Sequence, residues 1–209
     1  GQDPLEAPIV TQYEMHGVED LGLLKMDFLG LRNLDVITDA LELISVTRGI
    51  EINIEDIDLE DECTYQMLSR GESIGVFQFE SGPLRSLMKS LVPSCFDDIA
   101  ALCALYRPGP LAANMHNDYA DRKNNRKAVQ YFHKDAEMLL ADTYGLMIYQ
   151  ESVMQVARKF AGYTLAQADN LRKACGKKDR ELMQTERAGF LKGCEATGYG
   201  LDLGATLFD

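Results

Sequence analysis

From Leu59 onward apolar residues recur at three- and four-residue steps, and one helix-opening signal after another separates the runs. Ser81-Gly-Pro-Leu offers a capping Ser followed by Pro in the first turn, introducing Leu84, Leu87, Met88 and Leu91 as one face. Ser94 is placed to cap the next helix, with Ile99, Leu102, Cys103 and Tyr106 as its core face. Arg107-Pro-Gly-Pro110 stops that helix, because two prolines fix the backbone around a glycine. Thr164-Leu-Ala-Gln167 reads as a capping box, and beyond it Ala168, Leu171 and Cys175 share a face. A last helical pattern runs from Arg180 to Cys194 and ends at Gly198-Tyr-Gly200. The fold class that follows is mainly α.

The first 60 residues read differently. Residues 1–20, with Pro4 and Pro8, suit an extended connector. Leu21 to Met26 has the pattern of a short apolar strand that delivers Asp27 at its end. A helix pattern then runs from Phe28 to Ile44, with Leu31, Leu34, Ile37, Leu41 and Ile44 as a buried stripe. Asp27 has two readings: a carboxylate fixed at a strand edge to hold a divalent metal, or the N-cap of the helix. Asp56-Ile-Asp58 lies in a run of acids and is read as loop rather than as a metal clamp. Gly71 to Phe79 fits strand or helix, and Tyr144-Gly-Leu-Met-Ile-Tyr-Gln-Glu151 leads into a helix that buries Val153, Val156 and Phe160.

At 209 residues the chain has room for one large or two small domains. No apolar run approaches a membrane span, the start lacks a secretory pattern, and both ends read as cuts. The five cysteines are scattered and never near CxxC spacing, which argues against zinc and a disulfide framework and for reduced thiols in a cytosolic, hence cytoplasmic, protein.

A net charge of -12 would ordinarily count against a polyanionic partner, but the charge is polarised. Residues 1–100 carry 6 Lys and Arg against 20 Asp and Glu, whereas residues 101–209 carry 15 against 13. Seven basic residues and two acids lie between Arg158 and Arg180. Lys173, Lys177 and Arg180 project opposite the apolar face if the helix survives Gly176, with Arg172 and Lys178 at its margins. Such a row can line up along phosphates or serve as a plain solvated face. The cluster Arg122, Lys123, Arg126 and Lys127 carries the same two readings, and Arg107 sits at a rigid corner that a plain turn would also need.

Four phrases, taken in order and spacing, resemble the alpha subunit of bacterial DNA polymerase III, the C-family replicative polymerases. They are Gly22-Leu-Leu-Lys-Met-Asp-Phe-Leu-Gly-Leu31, Arg107-Pro-Gly-Pro110, Tyr144-Gly-Leu-Met-Ile-Tyr-Gln-Glu151, and Gly162-Tyr-Thr with Ala168-Asp-Asn-Leu-Arg-Lys-Ala-Cys-Gly-Lys-Lys178. Val76-Phe-Gln-Phe-Glu-Ser81 is similar to the same family. The resemblance implies a helical fingers domain over 51–209, truncated at its C-terminal end. Residues 1–50 would be the last strand and following helix of an α/β nucleotidyltransferase-like palm. It implies template-directed transfer of a deoxynucleotide to a primer 3′-hydroxyl during bacterial chromosome replication.

Asp27 matches the third acid of a two-magnesium site whose other two acids this chain lacks, so the chain alone is expected to be inactive. Arg172, Lys173, Lys177 and Lys178, with Arg107 in a lesser role, would neutralise the triphosphate. Tyr149 and Gln150 would shape the nucleotide pocket. Lys173 and Cys175 stand where many relatives have Arg and Met, and Lys lacks the bidentate fork of Arg. The implied partners are primer-template DNA, the incoming deoxynucleoside triphosphate, and the clamp, proofreading or clamp-loader subunits through other parts of the parent, with no membrane. The rival is a non-catalytic helical module that binds nucleic acid or protein, in which Asp27 is a cap.

Overall fold

A computed structural model describes residues 9–177 and 180–209, with the side chains of 177 and 180 left aside. Every regular element among the described residues is helical. The chain divides into two units, Gly1–Ile57 and Asp58–Asp209.

In the first unit, α1 (Met15–Asp20) is capped by the Glu14 carboxylate, which accepts from the His16 and Gly17 amides, and α2 spans Asn33–Arg48. The strand expected over Leu21 to Met26 does not form. The chain turns at Leu21-Gly22 and continues irregularly to Leu31. A strand gains little without a neighbour to satisfy its ladder, and among the described residues none lies alongside. The helix also starts later than its pattern suggested, at Asn33 rather than Phe28, with Arg32 as its cap residue. Arg32 Nε reaches Asp35 in the first turn at 3.3 Å. The expected stripe on α2 is not buried: Leu31, Leu34 and Ile37 are exposed, Leu34 keeping 77% of its surface, and Leu41 and Ile44 are half-buried. The periodicity is real, but no residue of α2 is fully buried.

The second unit holds two apolar clusters. Helices α3 (Glu62–Ser69), α4 (Gly82–Leu91), α5 (Phe96–Leu105) and α7 (Met115–Lys123) build the first, and the short α6 (Pro108–Ala112) lies against α5 and α7. Leu84, Leu87, Met88 and Leu91 of α4 are all buried, as their spacing predicts, each stabilising by roughly 1.5–3 kcal/mol before ordering costs. On α5 the buried row is Ala101, Leu102 and Leu105; of the expected face Leu102 is buried, Ile99 and Tyr106 are half-buried against the same cluster, and Cys103 is exposed. The helix is rotated by the buried Asp98, whose Oδ2 accepts from the Ser94 amide (2.8 Å) and hydroxyl (3.1 Å) and lies 3.3 Å from Lys123 Nζ. Ser94 therefore donates to Asp98, and Cys95 is the cap residue. Residues 71–80 form neither strand nor helix but a run of turns, tied by Ser73 Oγ to Phe79 O at 2.7 Å.

Helices α8 (Glu137–Leu140), α9 (Gln150–Ala161), α10 (Leu165–Lys177), α11 (Arg180–Ala196) and α12 (Leu201–Phe208) build the second cluster around Phe160, Leu140, Phe190 and Leu207. Helix α9 packs on both α10 and α11, and α12 packs on α11. Gly193 makes the closest crossing, since a Cβ there would fall 2.3 Å from the Ala161 carbonyl oxygen. Helix α12 was not expected from the pattern.

The Tyr144–Glu151 phrase is the seam between the clusters, with Leu146 in the first and Met147 packed on the second. Its Tyr-Gly start takes positive φ at both residues, and a Cβ at Gly145 would fall 2.6 Å from Gln130 O. Glycine is required there by φ and by the close approach of another backbone.

Candidate functional site

Helix α10 begins where the sequence places it. Thr164 Oγ1 accepts from the Gln167 amide at 3.3 Å, and Gln167 Oε1 accepts from the Thr164 amide at 2.9 Å. The helix runs through Gly176 to Lys177. Ala168, Leu171 and Ala174 are its buried row, while Cys175, expected beside them, is exposed. The small Ala174 side chain lets α10 pack closely, so the row steps by three residues and passes Cys175 by.

This orientation leaves Arg172 and Lys173 at the surface, where one acid holds both. Asp169 Oδ1 accepts from Arg172 Nε at 2.8 Å, and Oδ2 accepts from Lys173 Nζ at 2.7 Å. The Lys173 ammonium first, and then the Arg172 guanidinium, hold the Asp169 carboxyl below the usual carboxylate range. Arg172 Nη1 also donates to Gln150 Oε1 at 3.2 Å, joining the first turn of α9 to the middle of α10. Three of the expected site residues, Gln150, Arg172 and Lys173, are thus linked, the two cations through Asp169, which the sequence did not single out, and Gln150 through Arg172. The available signal was spacing: an acid three and four residues before two cations can reach both. Lys177 lies on the same helix, although its side chain is not described, and Lys178 lies outside the described residues. Arg180 opens α11 instead of continuing the row on α10.

The neighbouring Tyr149 is the cap residue of α9 and half-buried. Burial, followed by the charges of Asp97, Cys103 and Asp98, raises its hydroxyl pKa. Arg107 is the cap residue of α6, with Nε donating to Cys103 O at 3.3 Å, and it lines a cavity of about 290 Å³ with Gln78, Phe79 and Tyr106. Gln78 holds φ at +64° in the turn that walls this cavity.

The other basic cluster is consumed internally. Arg122 donates to Tyr144 O at 2.8 Å, Lys123 to Val92 O at 2.9 Å, Arg126 to Ser90 O at 2.8 Å, and Lys127 to Asp118 at 2.8 Å. These cations fasten α7 and the turn after it to their surroundings.

Asp27 lies in the first unit, in irregular backbone, with its side chain 60% exposed and Oδ1 3.3 Å from Lys25 Nζ. It neither ends a strand nor caps α2, which starts six residues later. Among the described residues no group of three His, Cys, Asp or Glu stands close enough to hold a metal ion. Asp56 and Asp58 serve their own loop, accepting from Asn53 Nδ2 and the Glu60 amide at 2.9 Å each.

The family model described as the bacterial DNA polymerase III alpha subunit finger domain matches residues 33–198. The chain belongs to that family. The DNA polymerase III subunit alpha of Mycobacterium leprae (strain TN) is 49% identical over 210 residues, covering 99% of this chain and 18% of the relative. That of Pseudomonas aeruginosa is 45% identical over 96% of the chain, and that of Bacillus subtilis (strain 168) is 44% identical over all of it, each covering 18% of the relative. The chain thus spans about a fifth of the length of these DNA polymerase III alpha subunits. The finger-domain match encloses Arg107, Tyr149, Gln150, Arg172 and Lys173, whereas Asp27 precedes it.

Proposed function

We propose that the chain is a working part of a bacterial replicative DNA polymerase, contributing to template-directed transfer of a deoxynucleotide onto a primer 3′-hydroxyl. The observation that carries this reading is the pairing of Arg172 and Lys173 on Asp169, with Gln150 bonded to Arg172, inside a stretch that matches the polymerase finger domain. The cations lie side by side at the surface, where successive phosphates of a triphosphate can each take a charge-assisted bond. Lys177 and Lys178 extend the row along the sequence, Arg107 serves as a lesser contact from its own corner, and Tyr149 and Gln150 shape the pocket wall.

Chemically, the α10 cations draw electron density from the polyphosphate and so favour departure of pyrophosphate. Swinging this helical unit over the nucleotide would exclude water and complete the site only around a correct pair. Asp27 would hold magnesium together with carboxylates from the remainder of the parent; its exposed side chain fits a shared ligand, and a single acid does not fit a whole site. When bound, a magnesium pair would activate the primer hydroxyl and support the leaving group. The chain by itself is accordingly inactive. Domain limits near residue 50, primer-template DNA, clamp, proofreading and clamp-loader partners, and a cytoplasmic setting complete the proposal. Among the described residues no helix is long and apolar enough to cross a membrane.

Arg172→Ala in the full-length parent tests the reading. The KM for deoxynucleotide should rise by about tenfold or more while primer-template affinity stays within about twofold. An unchanged KM would remove the triphosphate role.

A further inference from the structure

The α10 surface sets two cations on adjacent residues, an arrangement that needs an explanation of its own. Neighbouring like charges repel, and long side chains sample many rotamers unless something fixes them. Asp169 divides its carboxylate between the two, one oxygen on Arg172 Nε and the other on Lys173 Nζ. Gln150 fixes the guanidinium from the other side through Nη1. Among the described residues, these bonds leave the Nη2 hydrogens of Arg172 and two ammonium hydrogens of Lys173 for an outside acceptor. Among the described residues, one carboxylate against two cations also leaves the patch positive.

From this geometry we infer that Asp169 is a positioning residue for the polyphosphate of the incoming nucleotide, holding Arg172 and Lys173 side by side in a binding-ready arrangement. The inference rests on the triphosphate role proposed above and adds to it how the cations are set. Asp169 touches no substrate atom in this account. Its two short bonds aim the donors before the nucleotide arrives, so that less side-chain freedom is lost on binding. The same pairing dictates which variant is informative. Asn has the shape of Asp but can offer only one oxygen, so its amide would face one of the two cations with N–H groups.

The test measures single-nucleotide incorporation by the full-length parent polymerase at saturating primer-template, with enzyme concentration set by active-site titration. Asp169→Asn should raise the KM for deoxynucleotide about tenfold, with kcat held within about twofold. Asp169→Glu should return KM to within about threefold of the parent, since a Glu also reaches cations three and four residues on. A merely structural role would lower the active fraction or kcat and leave KM alone, and that pattern overturns the inference. So does a lowered KM, which would make Asp169 a competitor of the triphosphate. Arg172→Ala and Lys173→Ala run alongside separate the two layers. If both raise KM while Asp169→Asn does not, positioning alone fails. If neither raises it, the triphosphate reading itself fails and takes the inference with it.

Discussion

Arg172 Nη1 donates to Gln150 Oε1 across 3.2 Å, so the start of α9 and the middle of α10 share a polar link on the surface that carries the cation pair. The link connects two phrases that lie 22 residues apart in the sequence and share no periodicity. Gln150→Ala should therefore act on nucleotide binding through Arg172. The expected result in the parent polymerase is a KM increase of about threefold, smaller than for Arg172→Ala, with little added loss when both are combined. A double-mutant cycle on KM checks this; full additivity would mean that the two side chains act separately.

The buried pair Asp98 and Lys123 makes a stability prediction. Lys123→Met removes the cation 3.3 Å from a carboxylate that is 2% exposed, leaving a buried charge with only the Ser94 donors. The expected loss is about 3 kcal/mol, read by urea unfolding, whereas removing both charges together should cost less than removing Lys123 alone.

Gly193 supplies a steric counterpart. In Gly193→Ala the new methyl would meet Ala161 backbone and side chain at 2.3 and 2.9 Å, so α9 and α11 must move apart. The expected destabilisation is about 2 kcal/mol or more, measured as a drop in thermal midpoint.

How far the sequence reveals these features depends on how local they are. The Thr164–Gln167 box and the α4 face are readable because their partners lie within one turn or one helix. The pattern at Leu21–Met26 misleads because a strand is a property of a pair, and a short apolar run cannot say whether a partner lies alongside. The α5 face is only partly readable, with Leu102 in place but Cys103 exposed, because Asp98 looks like a solvated first-turn acid until Lys123, 25 residues on, is folded beneath it. Asp169 was passed over for the same reason, since acids beside cations on a helix are ordinarily surface decoration.

The basic cluster of α7 supports a negative prediction. Arg126 and Lys127 are already bonded to Ser90, Asp121 and Asp118. Replacing both with Ala should leave the salt dependence of primer-template binding by the parent unchanged within about one unit of slope, while lowering the chain's unfolding midpoint. A slope reduced by about two would show them on phosphates instead.

Acid pH probes the junction of α9 with the segment before α12. Asp135 accepts from the Tyr199 hydroxyl and lies 3.6 Å from Lys159 Nζ and 3.9 Å from His133 Nδ1. The Tyr199 hydrogen bond, then the Lys159 and His133 charges, lower the carboxyl from its ordinary 3.8. A lowered native pKa stabilises above the ordinary value and is lost as pH falls through it and below. Tyr199→Phe should thus be less stable than the parent chain near neutral pH, with the gap in thermal midpoint closing as pH is taken below about 4.

In the proposed reading this chain supplies a carboxylate and a nucleotide-binding helix to a polymerase, and Asp27 offers the sharpest test. Primer extension by the full-length parent carrying Asp27→Asn, with primer-template binding followed by fluorescence anisotropy on the same preparation, measures both halves at once. The account predicts extension reduced by about a thousandfold or more at unchanged primer-template affinity. Extension at near-parent rates with Asn in place of that carboxylate would contradict it.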